Sequence, residues 1–406
     1  MLRRVAITGL GIVSCLGTSI DAVADALRMG KSGIVVDPER TALGFLSPLT
    51  GAIPDVTPSH PLTRKQKKTM PTFAQWAAEA AFQAISHAGL SEDLVQSEDT
   101  GLVFGCDSSA LAAIEQTDLL LEHKSTASLG SGLVFQSMTS CVTMNLNALL
   151  GSRGACWSVS AACASGGHAV GQAADLIMLG RQKRVICGGA QEINWQSMCS
   201  FDGLGAFSTN PDPHKACRPF AGDRDGLVPS GGAAALVLED YEAAQTRGAA
   251  ILGEVVGYGF SSDGENLSAP SRTGMARAMR MALKHAGLSS VDISYLCAHA
   301  TSTPVGDSRE ALNILEVFGA GQVPVSSTKS MTGHELWMSG ASQVVYTTLM
   351  AQQGFLAPNI NFSHPDDYSA KLDIVTVPRE AKIRNALCNA AGFGGTNSSI
   401  ALSFPQ

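Results

Sequence analysis

His87-Ala88-Gly89-Leu90-Ser91 is written a second time as His285-Ala286-Gly287-Leu288-Ser289. Each copy closes an alanine-rich helical pattern, Ala74–His87 and Met275–His285, and each is followed within about ten residues by a strand-like run. The glycine suits a left-handed C-cap in both places. A second correspondence lies downstream: strand, sharp turn and a helix of small residues at 157–179, and again at 324–350. The two spacings differ by about 27 residues, most simply an insertion between 107 and 155 in the first copy. Short apolar runs alternate with helical patterns elsewhere: Val5–Thr8, Leu102–Gly105, Arg184–Cys187, Ala234–Leu238, Tyr295–Ala298, Val323–Ser326 and Ala386–Asn389 read as strands. The pattern predicts an α/β protein of two related halves, 1–250 and 251–406, stacked as layers. No linker-like tract separates them, so one shared body is expected.

The 406 residues are 45% hydrophobic and 16% charged, which excludes a disordered or highly charged tail protein. A net charge of −7 argues against a general nucleic-acid binder. No apolar run reaches membrane-spanning length, and the basic N-terminal pair leads directly into a strand-like segment, so neither a span nor a signal peptide is expected. The ten cysteines are scattered without a C-x-x-C pair. They read as reduced thiols in a cytoplasmic protein, with no metal site.

Thr8-Gly9-Leu10-Gly11-Ile12-Val13-Ser14 invites a dinucleotide-binding reading. Ser14 stands where a third small residue is needed, so a tight strand-to-loop turn is expected instead. Cys163 lies in Ser158-Val159-Ser160-Ala161-Ala162-Cys163-Ala164-Ser165-Gly166-Gly167-His168, where a strand gives way to a small-residue helix. That placement puts the sulfur at the helix's positive end and predicts a lowered pKa and a nucleophile. The competing reading is a buried structural thiol. His299 and His334 each follow a strand end, where α/β sheets place their sites, and Lys329 stands five residues before the second. His87, His285 and His364 sit at helix ends or in loops and read as structural or solvated. Gly392-Phe393-Gly394-Gly395-Thr396-Asn397 is either a simple turn or a presentation of backbone N–H groups. Arg64, Lys65, Lys67 and Lys68 place four positive charges in five positions of an acidic chain, as a solvated face or a dock for an acidic partner.

Taken together, these residues resemble the β-ketoacyl-acyl carrier protein synthases of the elongating type. The resemblance covers essentially the whole chain. It rests on V-A-I-T-G-L-G-I-V-S, V-S-A-A-C-A-S, Phe220–Gly232, H-A-T-S-T-P-V-G-D-S-R-E, S-S-T-K-S-M-T-G-H and G-F-G-G-T-N, in that order. It implies the thiolase fold, two α/β halves in five α-β-α-β-α layers, and decarboxylative condensation of an acyl-enzyme with malonyl-carrier protein. Cys163 matches the acyl-accepting nucleophile, His299 and His334 the histidine pair, and Lys329 the active-site lysine. Glu310 matches an acidic residue near that lysine. Thr301 and Thr303 match the threonines that bind the phosphopantetheine arm, and Phe201 an acyl-pocket aromatic. Phe393 matches a gating residue whose N–H joins that of Cys163 in an oxyanion hole. No bound cofactor is implied, because substrates ride on the carrier protein's phosphopantetheine. The basic run at 64–68 overlays the carrier-docking region. A homodimer is implied, with the strand about Cys156–Ser160 at its interface.

The chain departs from the pattern after His334. The usual S-L-G-A-A-G is Glu335-Leu336-Trp337-Met338-Ser339-Gly340, Ala300 replaces a glycine and Ala391 a phenylalanine. A volume exchange near the acyl gate, gained at Trp337 and Met338 and lost at Ala391, is expected to alter substrate preference, towards polyenoyl or other specialised chains. Three rival functions remain at this stage. A CoA-dependent thiolase-like acyltransferase needs a second catalytic cysteine, which Gly392–Asn397 does not offer. A chain-length-factor subunit lacks the nucleophile that this chain keeps, though pairing with such a partner in a heterodimer stays open. A cysteine hydrolase would need water at the acyl-enzyme.

Overall fold

The computed structural model describes residues 2–405. Its main sheet contains β1 (Val5–Val13), β2 (Thr100–Gly105), β3 (Cys156–Val159), β4 (Arg184–Gln191), β5 (Gly232–Asp240) and β6 (Gly253–Ser262). It continues with β7 (Tyr295–Cys297), β8 (Pro324–Ser326), β9 (Asp373–Ile374), β10 (Asn385–Gly392) and β11 (Thr396–Ser403). The order across the sheet is β9-β8-β7-β10-β11-β6-β1-β5-β4-β2-β3. Strands from before residue 250 fill one side and those from after it fill the other, meeting at the antiparallel pair β1 and β6.

Five helices complete the layers: α1 (Thr72–Ala88), α2 (Ser165–Met178), α3 (Gly274–Ala286), α4 (Pro304–Phe318) and α5 (Ser339–Gln353). Helix α1 covers the first half of the sheet, and α3, flanked by α4, covers the second. Helices α2 and α5 pack on each other between the halves, which yields the expected five layers. Their approach is close: a Cβ on Gly340 would stand 2.3 Å from Gly167 N. The central cluster they share with both halves contains Val170, Ile177, Val344 and Tyr346.

The internal repeat is visible atom by atom. Helices α1 and α3 both end on a left-handed glycine, Gly89 (φ 63°) and Gly287 (φ 67°). His87 Nδ1 accepts from Leu10 N–H at 3.4 Å, and His285 Nδ1 accepts from Tyr258 N–H at 3.2 Å. Each strand carries glycines on both sides of the residue that donates. Cβ atoms on Gly9 and Gly11 would lie 2.1 and 1.9 Å from the Ala84 and Ala80 carbonyl oxygens. Those on Gly257 and Gly259 would lie 2.3 and 2.0 Å from the Ala282 and Ala278 oxygens. The expected turn at Gly9–Ser14 is therefore corrected. Gly9 and Gly11 lie inside a continuous strand, and they are small because a helix backbone rests on them. The same property conceals β6 from a reading by side-chain pattern, since three of its ten residues are glycine.

The insertion between 107 and 155 folds as four short helical pieces, among them Ala110–His123 and Cys141–Leu150. It exposes Leu121, Val134, Phe135 and Met138. Next to it, β3 is the edge strand of the sheet and exposes Trp157 and Cys156.

Candidate active site

The cysteine turn is strained. Ala162 adopts a left-handed φ of 46° in the three-residue 3₁₀ turn Ala162–Ala164, and Cys163 follows it directly into α2. The two histidine loops share the feature, with Ser302 at φ 72° and Leu336 at φ 43°. Three non-glycine residues in this sparsely populated region, one in each of the segments that carry Cys163, His299 and His334, mark loops held by their surroundings.

The holders are specific. Asp307, fully buried on α4, accepts from the N–H groups of Thr301 (2.9 Å), Ser302 (3.1 Å) and Phe220 (2.8 Å). Arg224 bridges the carbonyls of Thr303 and Pro304 and pairs with Asp366 at 2.8 Å. Glu310 accepts from the N–H groups of His299 (2.9 Å) and Ala300 (2.6 Å) and from Asn389 Nδ2 at 3.2 Å. Glu310 thus braces the His299 backbone and does not pair directly with Lys329.

Cys163, His299, His334, Thr301, Thr303, Glu310, Phe201 and Phe393 all line one cleft of about 380 Å³. The two imidazoles meet edge to face, centroids 5.2 Å apart at 86°. Ser339 Oγ lies 3.2 Å from His334 Nδ1, which leaves Nε2 for a ligand. Thr301 and Thr303 hydroxyls are 3.1 Å apart. Phe201 stacks with Phe393 at 6.0 Å and 23°. The glycine-rich turn abuts the cysteine turn, for a Cβ on Gly392 would stand 3.0 Å from Cys163 N. Gly394 (φ 80°) and Gly395 (φ 77°) turn the chain back into β11.

Behind the cleft lies Lys329, 1% exposed, whose Nζ donates to Gln343 Oε1 at 3.3 Å. Gln343 donates in turn to the Ala298 carbonyl at 2.9 Å. The sequence reading missed Gln343. Its only signal is an amide in a helix whose neighbours are small or apolar.

Burial dominates the electrostatics. It pushes the Cys163 thiol up to about 12, with nearby Lys329 pulling the other way. The thiolate expected from the helix's positive end is therefore corrected: desolvation outweighs it, and the resting sulfur carries its proton. Burial, reinforced by Lys329, holds both His299 and His334 well below the usual imidazole value. Both are neutral at pH 7, each with one N–H to donate.

Of the remaining predicted residues, Arg64, Lys65, Lys67 and Lys68 form an exposed short helix and its cap, and none makes an ion pair among the described residues. His87 and His285 are the structural acceptors already described, and His364 is exposed. Trp337 packs in one apolar cluster with Cys163, Met198, Phe207 and Leu336. Ala391 lines the cleft. Met338 is fully buried in the central core and is not among the residues that line the cleft. Among the described residues no cluster of side chains could hold a metal ion, and no helix is long and apolar enough to cross a membrane.

The chain matches known proteins over nearly its whole length. The β-ketoacyl synthase N-terminal domain model matches residues 2–244 and the C-terminal domain model residues 252–363. The chain is 40% identical to 3-oxoacyl-[acyl-carrier-protein] synthase 1 of Haemophilus influenzae over 98% of both chains. A β-ketoacyl synthase crystal structure from Burkholderia phymatum superposes with a TM-score of 0.94 at 34% identity, covering all of both chains. The ishigamide ketosynthase/chain length factor structure gives 0.92 at 30% identity, again over both full lengths. Two stacked halves, a strained cysteine turn and a paired-histidine cleft thus coincide with matches spanning both halves: the chain belongs to the β-ketoacyl synthase family.

Proposed function

We propose that this protein extends an acyl chain by decarboxylative condensation with malonyl-acyl carrier protein, as an acyltransferase of fatty-acid or related chain elongation. The observation that carries the reading is the convergence of Cys163, His299 and His334 on one cleft, with Lys329 buried behind it.

Cys163 Sγ attacks the thioester carbonyl of the acyl-carrier protein. The tetrahedral oxygen is held by the N–H groups of Cys163 and Phe393, and the carrier's phosphopantetheine thiol leaves with a proton. Malonyl-carrier protein then binds, its arm along Thr301 and Thr303. The bond to the carboxylate carbon breaks, carbon dioxide departs, and the electron pair moves onto the thioester oxygen. Two neutral imidazole N–H groups stabilise that enolate, so no strong base is needed. Its α-carbon attacks the acyl-cysteine carbonyl and Cys163 leaves, giving a chain two carbons longer. The apolar cluster of Met198, Phe207, Leu227, Leu336 and Trp337 shields the acyl-enzyme from water.

The exposed cations at 64–68 dock the acidic carrier protein. The exposed apolar insertion beside edge strand β3 pairs with a second copy of this chain, since an uncovered edge and patch of this kind invite a partner. The ten unpaired cysteines fit a cytoplasmic setting. Incubation with acyl- and malonyl-carrier proteins tests the activity. An acyl adduct on Cys163, released carbon dioxide and a longer product are expected; hydrolysis of the adduct without condensation overturns the reading. Native mass spectrometry tests the pairing, for which a monomer, or activity only with a different subunit, counts against the homodimer.

A further inference from the structure

Glu192 directly follows β4 and is 4% exposed, yet the reaction gives it no task. Its carboxyl accepts from Ala110 N–H at 2.6 Å, Leu111 N–H at 3.4 Å, Asn194 Nδ2 at 2.8 Å and Ser108 Oγ at 3.3 Å. A carboxylate has lone-pair sites for all of them. Ala110 and Leu111 open helix Ala110–His123, so Glu192 caps that helix from a distant strand end. Ser109, the residue before the helix, turns its hydroxyl to the Gln136 carbonyl instead. Asn194 in turn caps helix Trp195–Gly203, accepting from Ser197 N–H at 2.9 Å. That helix carries Met198 and Phe201 to the apolar cluster around Cys163.

The Ser108 branch leads to Trp337. Ser108 Oγ gives its proton to Glu192 and accepts from Trp337 Nε1–H at 3.3 Å. The Trp337 backbone N–H is held by the neighbouring side chain, donating to Gln191 Oε1 at 3.4 Å. Both N–H groups of Trp337 are thus tied to the end of β4. Leu336, one residue earlier, has the left-handed φ of 43°, which persists only where the surroundings hold it. The ring so fixed stands 6.3 Å from Phe201 and packs in the cluster that contains Cys163.

We propose that Glu192 is a positioning residue for acyl-chain selection: through Ser108 it pins the Trp337 indole across the acyl site, and so favours short acyl groups over long ones. A short chain fits in front of the ring and leaves the Trp337–Ser108 bond intact. A long chain must displace the indole, which strips a buried N–H of its acceptor. The inference rests on the reading of Cys163 as the acylated nucleophile.

The rate of adduct formation on Cys163 from hexanoyl- and dodecanoyl-carrier protein, followed by intact-protein mass spectrometry, tests it. The dodecanoyl-to-hexanoyl ratio serves as its own control, since a general loss of structure slows both chains alike. Ser108→Ala is expected to raise that ratio about fivefold, the worth of one net hydrogen bond. Ser108→Thr keeps a hydroxyl and should keep the wild-type ratio. Glu192→Gln should shift the ratio in the same direction as Ser108→Ala, which carries the test alone if the glutamine variant fails to fold. In a Trp337→Phe background, where no indole N–H remains, Ser108→Ala should change the ratio no further. An unchanged ratio in Ser108→Ala, or an equal shift with and without the indole, overturns the proposal. If neither chain forms an adduct on Cys163 in the wild-type protein, the functional reading fails instead.

Discussion

His299 and His334 face one another edge to face at 5.2 Å, although the first follows β7 and the second follows β8 by way of the Lys329 turn. His299 Nδ1 is buried without a hydrogen-bond partner among the described residues, whereas His334 Nδ1 is met by Ser339. Neutral donors are what an enolate oxygen requires. Replacing either by alanine should abolish malonyl decarboxylation, a loss of at least about a hundredfold for a removed oxyanion donor. Acylation of Cys163 should persist. Carbon dioxide release and acyl-enzyme mass separate the two steps, and condensation retained in both variants contradicts these roles. Because both imidazoles are already neutral, decarboxylation should not fall between pH 6.5 and 8, where an imidazolium donor would be lost.

Glycine at position 11 is a packing requirement. Gly11→Ala forces a Cβ to within 1.9 Å of the Ala80 carbonyl oxygen, and the backbone must give way. A loss of about 3 kcal/mol or failure to fold is expected, at the upper end for overpacking. Gly130→Ala meets nothing within 4 Å and serves as the control, with a change inside about 0.5 kcal/mol. Thermal or urea unfolding distinguishes them.

Trp337 closes the apolar cluster around Cys163. Its indole N–H donates to Ser108 Oγ at 3.3 Å and its ring lies 6.3 Å from Phe201. Trp337→Phe removes that donor and part of the ring, so larger acyl groups should gain relative to small ones. Acyl-enzyme formation across a chain-length series measures the shift. An unchanged profile would mean that the indole does not bound the acyl site.

The basic segment predicts a binding effect without a chemical one. Lys67→Glu with Lys68→Glu should raise KM for carrier protein several-fold and leave kcat unchanged, since rim charges govern encounter. Added salt should narrow the gap between variant and wild type. A fall in kcat alone would place these residues elsewhere in the cycle.

Much of the architecture is readable before any coordinates. The repeated His-Ala-Gly-Leu-Ser marks both helix C-caps, because only glycine adopts the left-handed cap without strain. Seven strands are recognised where β-branched and apolar residues cluster. Strand β6 escapes because its glycines serve a helix's approach and leave no alternation of side chains to read. The Thr8–Ser14 stretch is misread for the same reason.

At the site, residue order along the chain is enough to single out Cys163, His299, Lys329 and His334, since each occupies a strand-to-loop junction with its own local signature. What they do at pH 7 is another matter. The protonated thiol, the two neutral imidazoles and the brace supplied by Glu310 follow from desolvation and from partners far away in sequence. Linear order carries the identity of the reacting groups. Their charges arise only when both halves close over them, because proton affinity depends on how much water the surrounding fold removes.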